Sequence, residues 1–388
     1  MIRKLLLILF GMGCVALQGQ LAYEGVVLDA DTGTPIPFVN IGIVDRGVGT
    51  ISNENGEFLL EFRPREVQQG DIVRISSLGY IPRKIPVSLL NDDVLKLIIR
   101  LQPNPVSLEE VVLTDKEYVE VEDEVGYRDL LGKGIGYWKD SVALGGELAS
   151  KIRVRKGLRR LNTLFFNVLH NPSDSVRLRV NIYEPADKWG APGKNLNESG
   201  RSILHVLRSH EILTVIDLKP YNIWVRDDFI VSLELLGVFG TENISLSLPA
   251  GNLPGVPSHR RYTSQGSWER IDDSAVGFWL QSTFYTDKPR KANKPRQLRK
   301  REKKEREISG TVFEIISSGR SEMRSRRRGA TISNYTSNKS VKTDEWGRFR
   351  IKAVKGDILG VSYPGMYQVL TKVEEISFYN FQLYPVKN

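Results

Sequence analysis

Short runs of alternating apolar and polar residues, each closed by Gly, Pro, Asn or Asp, follow one another from Tyr23 almost to the end of the chain. Alternation with period two puts one set of side chains on each face of a pleated strand, so the pattern predicts β structure. In the N-terminal part it gives strands at Gly25–Leu28, Phe38–Val44, Glu57–Phe62, Asp71–Ser76, Val94–Leu101 and Leu108–Thr114, with another entered through Gly47-Val48-Gly49-Thr50. Asp31-Thr32-Gly33-Thr34-Pro35 and Asn53-Glu54-Asn55-Gly56 read as turns, the second a tight one because Asn and Gly tolerate φ > 0. About seven such strands make a small Greek-key sandwich.

The same order of pieces returns near the C-terminus. Gly25-Val26-Val27-Leu28-Asp29, then Ser52-Asn53-Glu54-Asn55-Gly56-Glu57-Phe58, then Gly70-Asp71-Ile72-Val73-Arg74-Ile75-Ser76 with Gly79 form the first copy. The second is Gly310-Thr311-Val312-Phe313-Glu314, then Thr343-Asp344-Glu345-Trp346-Gly347-Arg348-Phe349, then Gly356-Asp357-Ile358-Leu359-Gly360-Val361-Ser362 with Gly365. Arg320 to Arg328 reads as an Arg-rich loop where the first copy has Thr34-Pro35-Ile36-Pro37-Phe38. Two copies separated by other sequence are not a solenoid, which stacks adjacent units. The recurring Gly, Asn and Asp positions are expected to serve backbone geometry, with none spent on chemistry.

With its Gly-x-Val opening, Thr34-Pro35-Ile36-Pro37-Phe38-Val39-Asn40-Ile41, Gly49 to Phe58, Ile75-Ser76-Ser77-Leu78-Gly79-Tyr80 and Leu108 to Leu113, the first copy resembles the carboxypeptidase-regulatory-like domain. That family is a transthyretin-like β-sandwich of Gram-negative envelope proteins, and the second copy looks like its diverged sibling. The resemblance implies an accessory, non-catalytic module. The domain also precedes the plug of TonB-dependent outer-membrane receptors, and Glu110-Val111-Val112-Leu113-Thr114 resembles the stretch following it there. Such receptors need a further barrel of many ten-residue amphipathic strands, for which the rest of this pattern leaves no place.

Between the copies, Leu161–Leu169, Ser175–Tyr183, Ile212–Asp217, Ile223–Val225, Phe229–Leu235, Asn243–Leu248 and Gly277–Tyr285 are β-like, with long loops at Glu184–Gly200 and Pro249–Pro257. This predicts an antiparallel jelly-roll-like sandwich. It is similar, through Val180-Asn181-Ile182-Tyr183-Glu184-Pro185, Val215-Ile216-Asp217-Leu218 and Phe229 to Glu234, to the sandwich accompanying regulatory-like domains in some envelope proteins. The expected fold class is all-β and multi-domain. A signal peptide occupies 1–19, a regulatory-like sandwich 20–115, a linker with some extended structure 116–147, and the jelly-roll-like sandwich 148–286. A basic linker follows at 287–306 and the second, diverged regulatory-like sandwich at 307–388.

Charge changes the picture only locally. The chain carries +9 overall, but Lys288 to Arg306 alone holds 11 Lys or Arg against two Glu, leaving the remainder neutral. That strap reads as a solvated linker able to touch an anionic surface, and having no aromatic residue it offers no base stacking, so nucleic acid is not expected. Arg3 and Lys4 ahead of the apolar run Leu5–Leu17 give the layout of a secretory signal with cleavage near Gly19. The run is too short to span a bilayer, so no transmembrane span is expected in the mature chain. Cys14, the single cysteine, lies inside it, so cleavage leaves no thiol. A lipoprotein signal, the alternative, would keep Cys14 as an acylated first residue.

Candidate chemistry is sparse. His170, His205, His210 and His259 lack the His-x-x-Glu spacing of a zinc carboxypeptidase and read as ordinary surface or core residues. Ser209, His210 and Asp217 lie near one another without a Gly-x-Ser-x-Gly elbow. Gly132-Lys133-Gly134-Ile135-Gly136 lacks the Gly-Lys-Ser/Thr ending of a phosphate loop, and Asp29-Ala30-Asp31 and Asn53-Glu54-Asn55 lack the ligand spacing of a calcium loop. Among Trp189, Trp224, Trp268 and Trp279, Trp189 in its Gly/Pro loop is the candidate for stacking on a sugar, while Trp224 and Trp279 are expected to pack in the core. No catalytic residue, cofactor site or metal site is assigned. The expectation is a non-enzymatic exported protein of the periplasm or outer membrane, serving scaffolding, adhesion or ligand binding. Other envelope proteins or glycans are its expected partners. The alternatives are an accessory of a TonB-linked uptake system and a carbohydrate-binding protein.

Overall fold

A computed structural model describes residues 20–90, 96–104, 118–128, 133–136, 144–187, 190–209, 211, 213–240, 245–272, 274–287, 305–318, 321–337, 339–364, 366, 369–374, 376–383 and 385. The signal segment with Cys14, the strand expected at Leu108–Thr114, Gly365 and most of the basic strap lie outside them.

Among the described residues the first module has seven strands, β1 (Leu21–Asp29), β2 (Asn40–Ile43), β3 (Val48–Ile51), β4 (Glu57–Phe62), β5 (Ile72–Ser76), β6 (Arg83–Pro86) and β7 (Leu97–Leu101). They form two sheets, β4-β1-β7 and β3-β2-β5-β6. In β4 the alternation is complete: Phe58, Leu60 and Phe62 turn inward and Glu57, Leu59 and Glu61 outward. Val27, Ile41, Ile75 and Leu101 close the core between the sheets.

The central unit begins with β8 (Val119–Gly126), β9 (Lys133–Ile135), β10 (Glu147–Ile152), β11 (Arg159–Asn167), β12 (Ser175–Pro185), β13 (Pro192–Asn195) and β14 (Ile203–Arg208). It continues with β15 (Leu213–Asp217), β16 (Trp224–Val225), β17 (Phe229–Phe239) and β18 (Leu248–Gly251). β19 (Ser258–Arg261), β20 (Glu269–Ile271), β21 (Ala275–Val276) and β22 (Phe278–Thr286) complete it. Its large sheet runs β13-β12-β17-β10-β19-β20 with β14 also on β12, and its second sheet runs β15-β11-β22-β8 with β16 on β11. Leu148, Leu164, Phe166, Val180, Leu233 and Phe278 fill the space between them.

The third module contains β23 (Arg306–Ser318), β24 (Ser321–Arg326), β25 (Thr331–Asn334), β26 (Lys339–Lys342), β27 (Arg348–Ala353), β28 (Ile358–Ser362), β29 (Val369–Lys372) and β30 (Phe378–Leu383). Its sheets repeat the first module's plan. β23 pairs antiparallel with β27 and parallel with β30, as β1 does with β4 and β7, and β26-β25-β28-β29 matches β3-β2-β5-β6.

Three expectations are corrected. The stretch 116–147 is not merely a linker, because β8 is the edge of the second sheet, β9 pairs with β18, and Glu147 opens β10. The acidic run misled because Asp123 takes an inward place among Val119, Val121 and Val125. Its Oδ2 accepts from Arg159 Nη1 at 2.6 Å with both side chains buried, and burial still pushes this carboxyl above its ordinary range despite the guanidinium. Within the Arg-rich segment, Ser321–Arg326 is a strand in a hairpin with β23 rather than a loop. The long loops are shorter than expected, since β13 lies inside Glu184–Gly200 and β18 enters Pro249–Pro257.

Both end modules dock with the same sheet. The β3-β2-β5-β6 sheet lies on the outer face of the large central sheet, where Phe38, Ile51 and Leu236 meet, Ser264 Oγ donates to Asn40 Oδ1 at 2.9 Å, and Gln265 Nε2 donates to Ser76 Oγ at 3.0 Å. The β26-β25-β28-β29 sheet lies on the outer face of the second central sheet, where Ile358 packs against Phe165, Leu213 and Trp279, and Gln281 Nε2 donates to Tyr335 O at 2.7 Å. The central sandwich is thereby covered outside as well as inside. β17 and β22 bury successive rather than alternate side chains, as strands enclosed on both faces do.

Gly49 marks the closest approach, for a Cβ there would stand 2.2 Å from the backbone oxygen of Ser264. Gly49→Ala is expected to weaken docking of the first module by about 1–3 kcal/mol, the usual cost of overpacking. Hydrogen exchange should quicken in β2, β3 and around Ser264, whereas Gly70→Ala, in open space, should leave it unchanged.

Candidate ligand cleft

Four charged residues stand in one row across four neighbouring strands. The register sets Arg179 of β12 opposite Glu234 of β17, Glu234 opposite Glu147 of β10, and Glu147 opposite Arg261 of β19. Leu148, Val180 and Leu233, one position away, enter the core, so alternation turns the row outward toward the first module. Covering by that module leaves Glu147, Glu234 and Arg179 buried.

The row is bonded in two halves. Arg179 Nη1 donates to Glu234 Oε2 at 3.3 Å and Asn181 Nδ2 to the same oxygen at 3.0 Å, while Arg179 Nη2 reaches across to donate to Phe38 O. Arg261 donates to Glu147 Oε1, Tyr183 OH donates to Oε2 at 3.1 Å, and Ser232 Oγ donates to Oε2 at 2.7 Å. Glu147 is therefore occupied by the protein itself. Glu234 Oε1, Arg179 Nε and Arg261 Nε are buried without a hydrogen-bond partner. Burial, and then the Glu147 carboxylate against the pull of Arg179, hold the Glu234 carboxyl above its usual range. Burial, and then the charge on Glu147, drive the Tyr183 phenol well above its own. For Arg261 burial works against the charge, and Glu147, Tyr183 and Glu234 outweigh it, so the guanidinium stays protonated.

Above the row lies a cleft of about 470 Å³ between the two modules. Asn40, Arg74 and Ser76 line it from the first module, and Asn181, Asn195 and Asn197 from the sandwich. Trp268, half-buried, forms part of the wall, with Tyr183 edge-on at 6.5 Å and the Arg261 guanidinium 5.0 Å from its ring centre. The arrangement suits recognition of a small polar molecule: paired donors and acceptors on a floor screened from water, beside one aromatic body. A second concavity, lined by Phe38, Leu144, Leu236 and Phe239, has its charged residue already committed, since Arg177 Nη2 pairs with Glu54 at 2.7 Å and lies over both Phe rings.

The residues weighed from sequence fall elsewhere. His205 Nε2 and Glu211 Oε1 are 3.0 Å apart on the sandwich surface, His170 is exposed, His259 is buried with its basicity lowered by burial, and His210 lies outside the described residues. No cluster of three or more metal-ligating side chains occurs among the described residues. Asp217 Oδ1 accepts from Lys219 N at 3.0 Å, a local turn contact, and Ser209 is exposed. Lys133 to Ile135 is strand β9, and Gly132 is outside the description. Asp29 Oδ1 accepts from the backbones of Asp31 and Thr32, both at 2.9 Å, and the Thr32 bond leads the effects that hold its carboxyl below the usual range. Asn53 Oδ1 accepts from Asn55 N and Glu57 N at 2.9 Å, and Asp344 Oδ1 repeats the pattern with Trp346 N at 2.9 Å and Arg348 N at 2.7 Å. These side chains hold turns. Trp279 is buried and stacked on Phe165, Trp224 donates to Asn222 Oδ1 at 3.0 Å, and Trp189 lies outside the described residues.

The sequence comparison bears on the module that forms the other wall of this cleft. The CarboxypepD_reg-like domain family matches residues 23–113. The first module is a CarboxypepD_reg-like domain. Over 142 residues the chain is 30% identical to the TonB-dependent receptor SusC of Bacteroides thetaiotaomicron, a match covering 35% of this chain and 13% of that receptor. The CarboxypepD_reg-like domain is thus related to receptors of that type, while the chain spans only a small part of the receptor's length. Among solved structures, BcpA, the major pilin subunit of Bacillus cereus, is 10% identical, with 95% of this chain and 100% of that one covered at a TM-score of 0.16. The Bacillus anthracis TIE protein is 13% identical, with 94% and 51% covered at a TM-score of 0.15. Scores this low relate no arrangement of strands.

Sequence reasoning passed over the charged row. Arg177, Arg179, Asn181 and Tyr183 alternate with Val176, Leu178, Val180 and Ile182, a signal that this strand has a polar face of its own. Its partners Glu147 and Arg261 come from distant strands that no local pattern connects.

Two outcomes follow for stability. Arg179→Met leaves Glu234 buried without its counter-charge and should cost about 3–5 kcal/mol in urea unfolding, while adding Glu234→Met should restore part of that loss. The folded state holds a proton on Glu234 more tightly than the unfolded chain does. Its contribution is therefore complete below the ordinary glutamate value of 4.5 and is lost as pH rises through the elevated one. Glu234→Gln should accordingly gain on the parent between about pH 4 and pH 7, and urea midpoints at the two pH values measure it.

Proposed function

We propose that the protein is an exported, non-enzymatic envelope component that binds a sugar in the cleft between its CarboxypepD_reg-like domain and its central sandwich. The cleft floor carries the reading. Glu234 Oε1, Arg179 Nε and Arg261 Nε keep unused hydrogen-bonding capacity beneath Asn181 and Asn195, with Trp268 on the wall. A sugar presents hydroxyls that donate and accept at adjacent positions, which a carboxylate beside guanidinium N–H groups satisfies, and a C–H face that an indole covers. Within the row two Arg and two Glu cancel, while Arg74 and Lys194 add positive charge to the lining, so the cleft suits a neutral sugar or one that carries a carboxylate.

Kinship of the first domain with a TonB-dependent receptor supports a place beside an outer-membrane uptake system, as an accessory on the periplasmic or outer-membrane side. Export rests on Arg3-Lys4 and the apolar run after them.

Titration of a panel of neutral and acidic oligosaccharides, followed by tryptophan fluorescence and calorimetry, tests the ligand. Binding by the parent, weakened at least tenfold in Trp268→Ala with an unchanged circular dichroism spectrum, is the expected result. A parent that binds no member at millimolar concentration sinks the sugar reading. Fractionation with a mass for the mature N-terminus should find the protein in the envelope, starting near Gln20 if cleaved or at an acylated Cys14 if lipidated.

A further inference from the structure

The two end modules share a fold, dock through the same sheet, and leave the same sheet facing outward, yet their outward faces differ in charge. Their registers align on Gly25 opposite Phe58 in the first and Gly310 opposite Phe349 in the third. On that alignment Glu57, Leu59 and Glu61 of β4 correspond to Arg348, Arg350 and Lys352 of β27, and all six are exposed. Because both sets fold into the same strand of the same sheet, the fold does not demand the cations.

The third module extends them into a stripe. Along one side of β23, Lys352 faces Glu307, Arg350 faces Ser309, Arg348 faces Thr311, and Arg326 of β24 faces Phe313. Two carboxylates lie at the stripe's edge: Arg350 approaches Glu307 at 3.7 Å with both side chains in solvent, and Glu305, bonded to Lys339 at 2.6 Å, also feels the charge of Lys352. In the first module the counterpart Glu57 is paired with Lys96 at 3.1 Å. The position equivalent to Lys96 is Phe378, 55% exposed on the other side of β23, with Ile376 beside it at 57% and Trp346 at 58% in the turn before Arg348. A row of cations flanked by exposed aromatic and aliphatic side chains is the composition of a surface that meets a charged bilayer interface. The cations stand among headgroup phosphates there, and the apolar groups enter the boundary beneath.

We propose that the outward face of the β24-β23-β27 sheet, with β30, is a docking site for an anionic lipid surface. The exposed apolar residues favour a bilayer over a soluble polyanion, which would use the charges and leave Phe378 and Ile376 in water. The site stands on the sheet alone and does not depend on the cleft or on the basic strap.

Co-sedimentation of the purified full chain with phosphatidylcholine vesicles, with and without 30% phosphatidylglycerol, provides the test. Arg348→Glu, Arg350→Leu and Lys352→Glu combined install the first module's own residues, a set already compatible with this strand, and keep the strap and the N-terminal segment intact. The parent should sediment with the anionic vesicles and not the neutral ones, release in high salt, and lose at least tenfold in affinity in the triple variant. Phe378→Ser should weaken vesicle binding while leaving retention on heparin unchanged. Equal binding by parent and triple variant, equal binding to neutral vesicles, or full competition by inorganic polyphosphate with Phe378→Ser binding like the parent would each overturn the assignment.

Discussion

A row of four charges, two Glu flanked by two Arg, held between two modules is the constraint around which this molecule is arranged. Ionised side chains are tolerated away from water only when paired and hydrogen-bonded, and a buried pair adds little net stability while its disruption is costly. Arg179, Glu234, Glu147 and Arg261 meet the condition because four strands from distant parts of the chain are brought into one register. The first module must then sit where it does, for Arg179 Nη2 donates to Phe38 O, a carbonyl of that module. The row acts on arrangement more than on stability. It makes one docking position satisfactory, and small lateral displacements would strand a guanidinium.

The opposite side of the sandwich is closed by different physics. Phe165 lies parallel to Trp279 at 5.6 Å, and Ile358 of the third module packs with them, an apolar contact that tolerates small adjustments. The central unit is thus held on one side by directional bonds that leave a polar cleft and on the other by packing. A ligand reaching the cleft meets a floor fixed in geometry, since each member of the row is held by its neighbours, and such prior ordering lowers the cost of binding.

Legibility in the sequence follows the same division. The first module reads cleanly because only one face of each strand in its outer sheet is buried, so Glu57 to Phe62 alternates without exception. Its repeat is recognisable because Asn53 and Asp344 accept the same backbone bonds, a requirement of the turn that survives when the surface changes. The central sandwich reads less clearly, because strands covered on both faces lose alternation, and because a buried charge imitates a solvated one. Asp123 made a strand look like an acidic linker, although Arg159 lay in wait 36 residues further on. The candidate cleft was legible only in the alternating polar residues of β12, since its remaining members are joined by pairings that sequence proximity does not reveal.

Duplication separates what the fold requires from what the surface is free to do. In both end modules the inner sheet is bound by docking and the core by packing, and the core positions stay apolar in each copy. The outward strand is bound by neither, and there Glu, Leu and Glu in one copy stand against Arg, Arg and Lys in the other. Drift on a solvated face scatters charges of both signs. Here one strand holds a single sign at three successive outward positions, and a neighbouring strand adds a fourth on the same side of β23. Like charges so placed repel one another, a cost of order a few tenths of a kcal/mol per adjacent pair that an unused surface has no reason to carry. The repulsion is relieved when phosphates lie between the cations, so the sign pattern of the third module is better explained by what it meets outside the molecule than by anything within it.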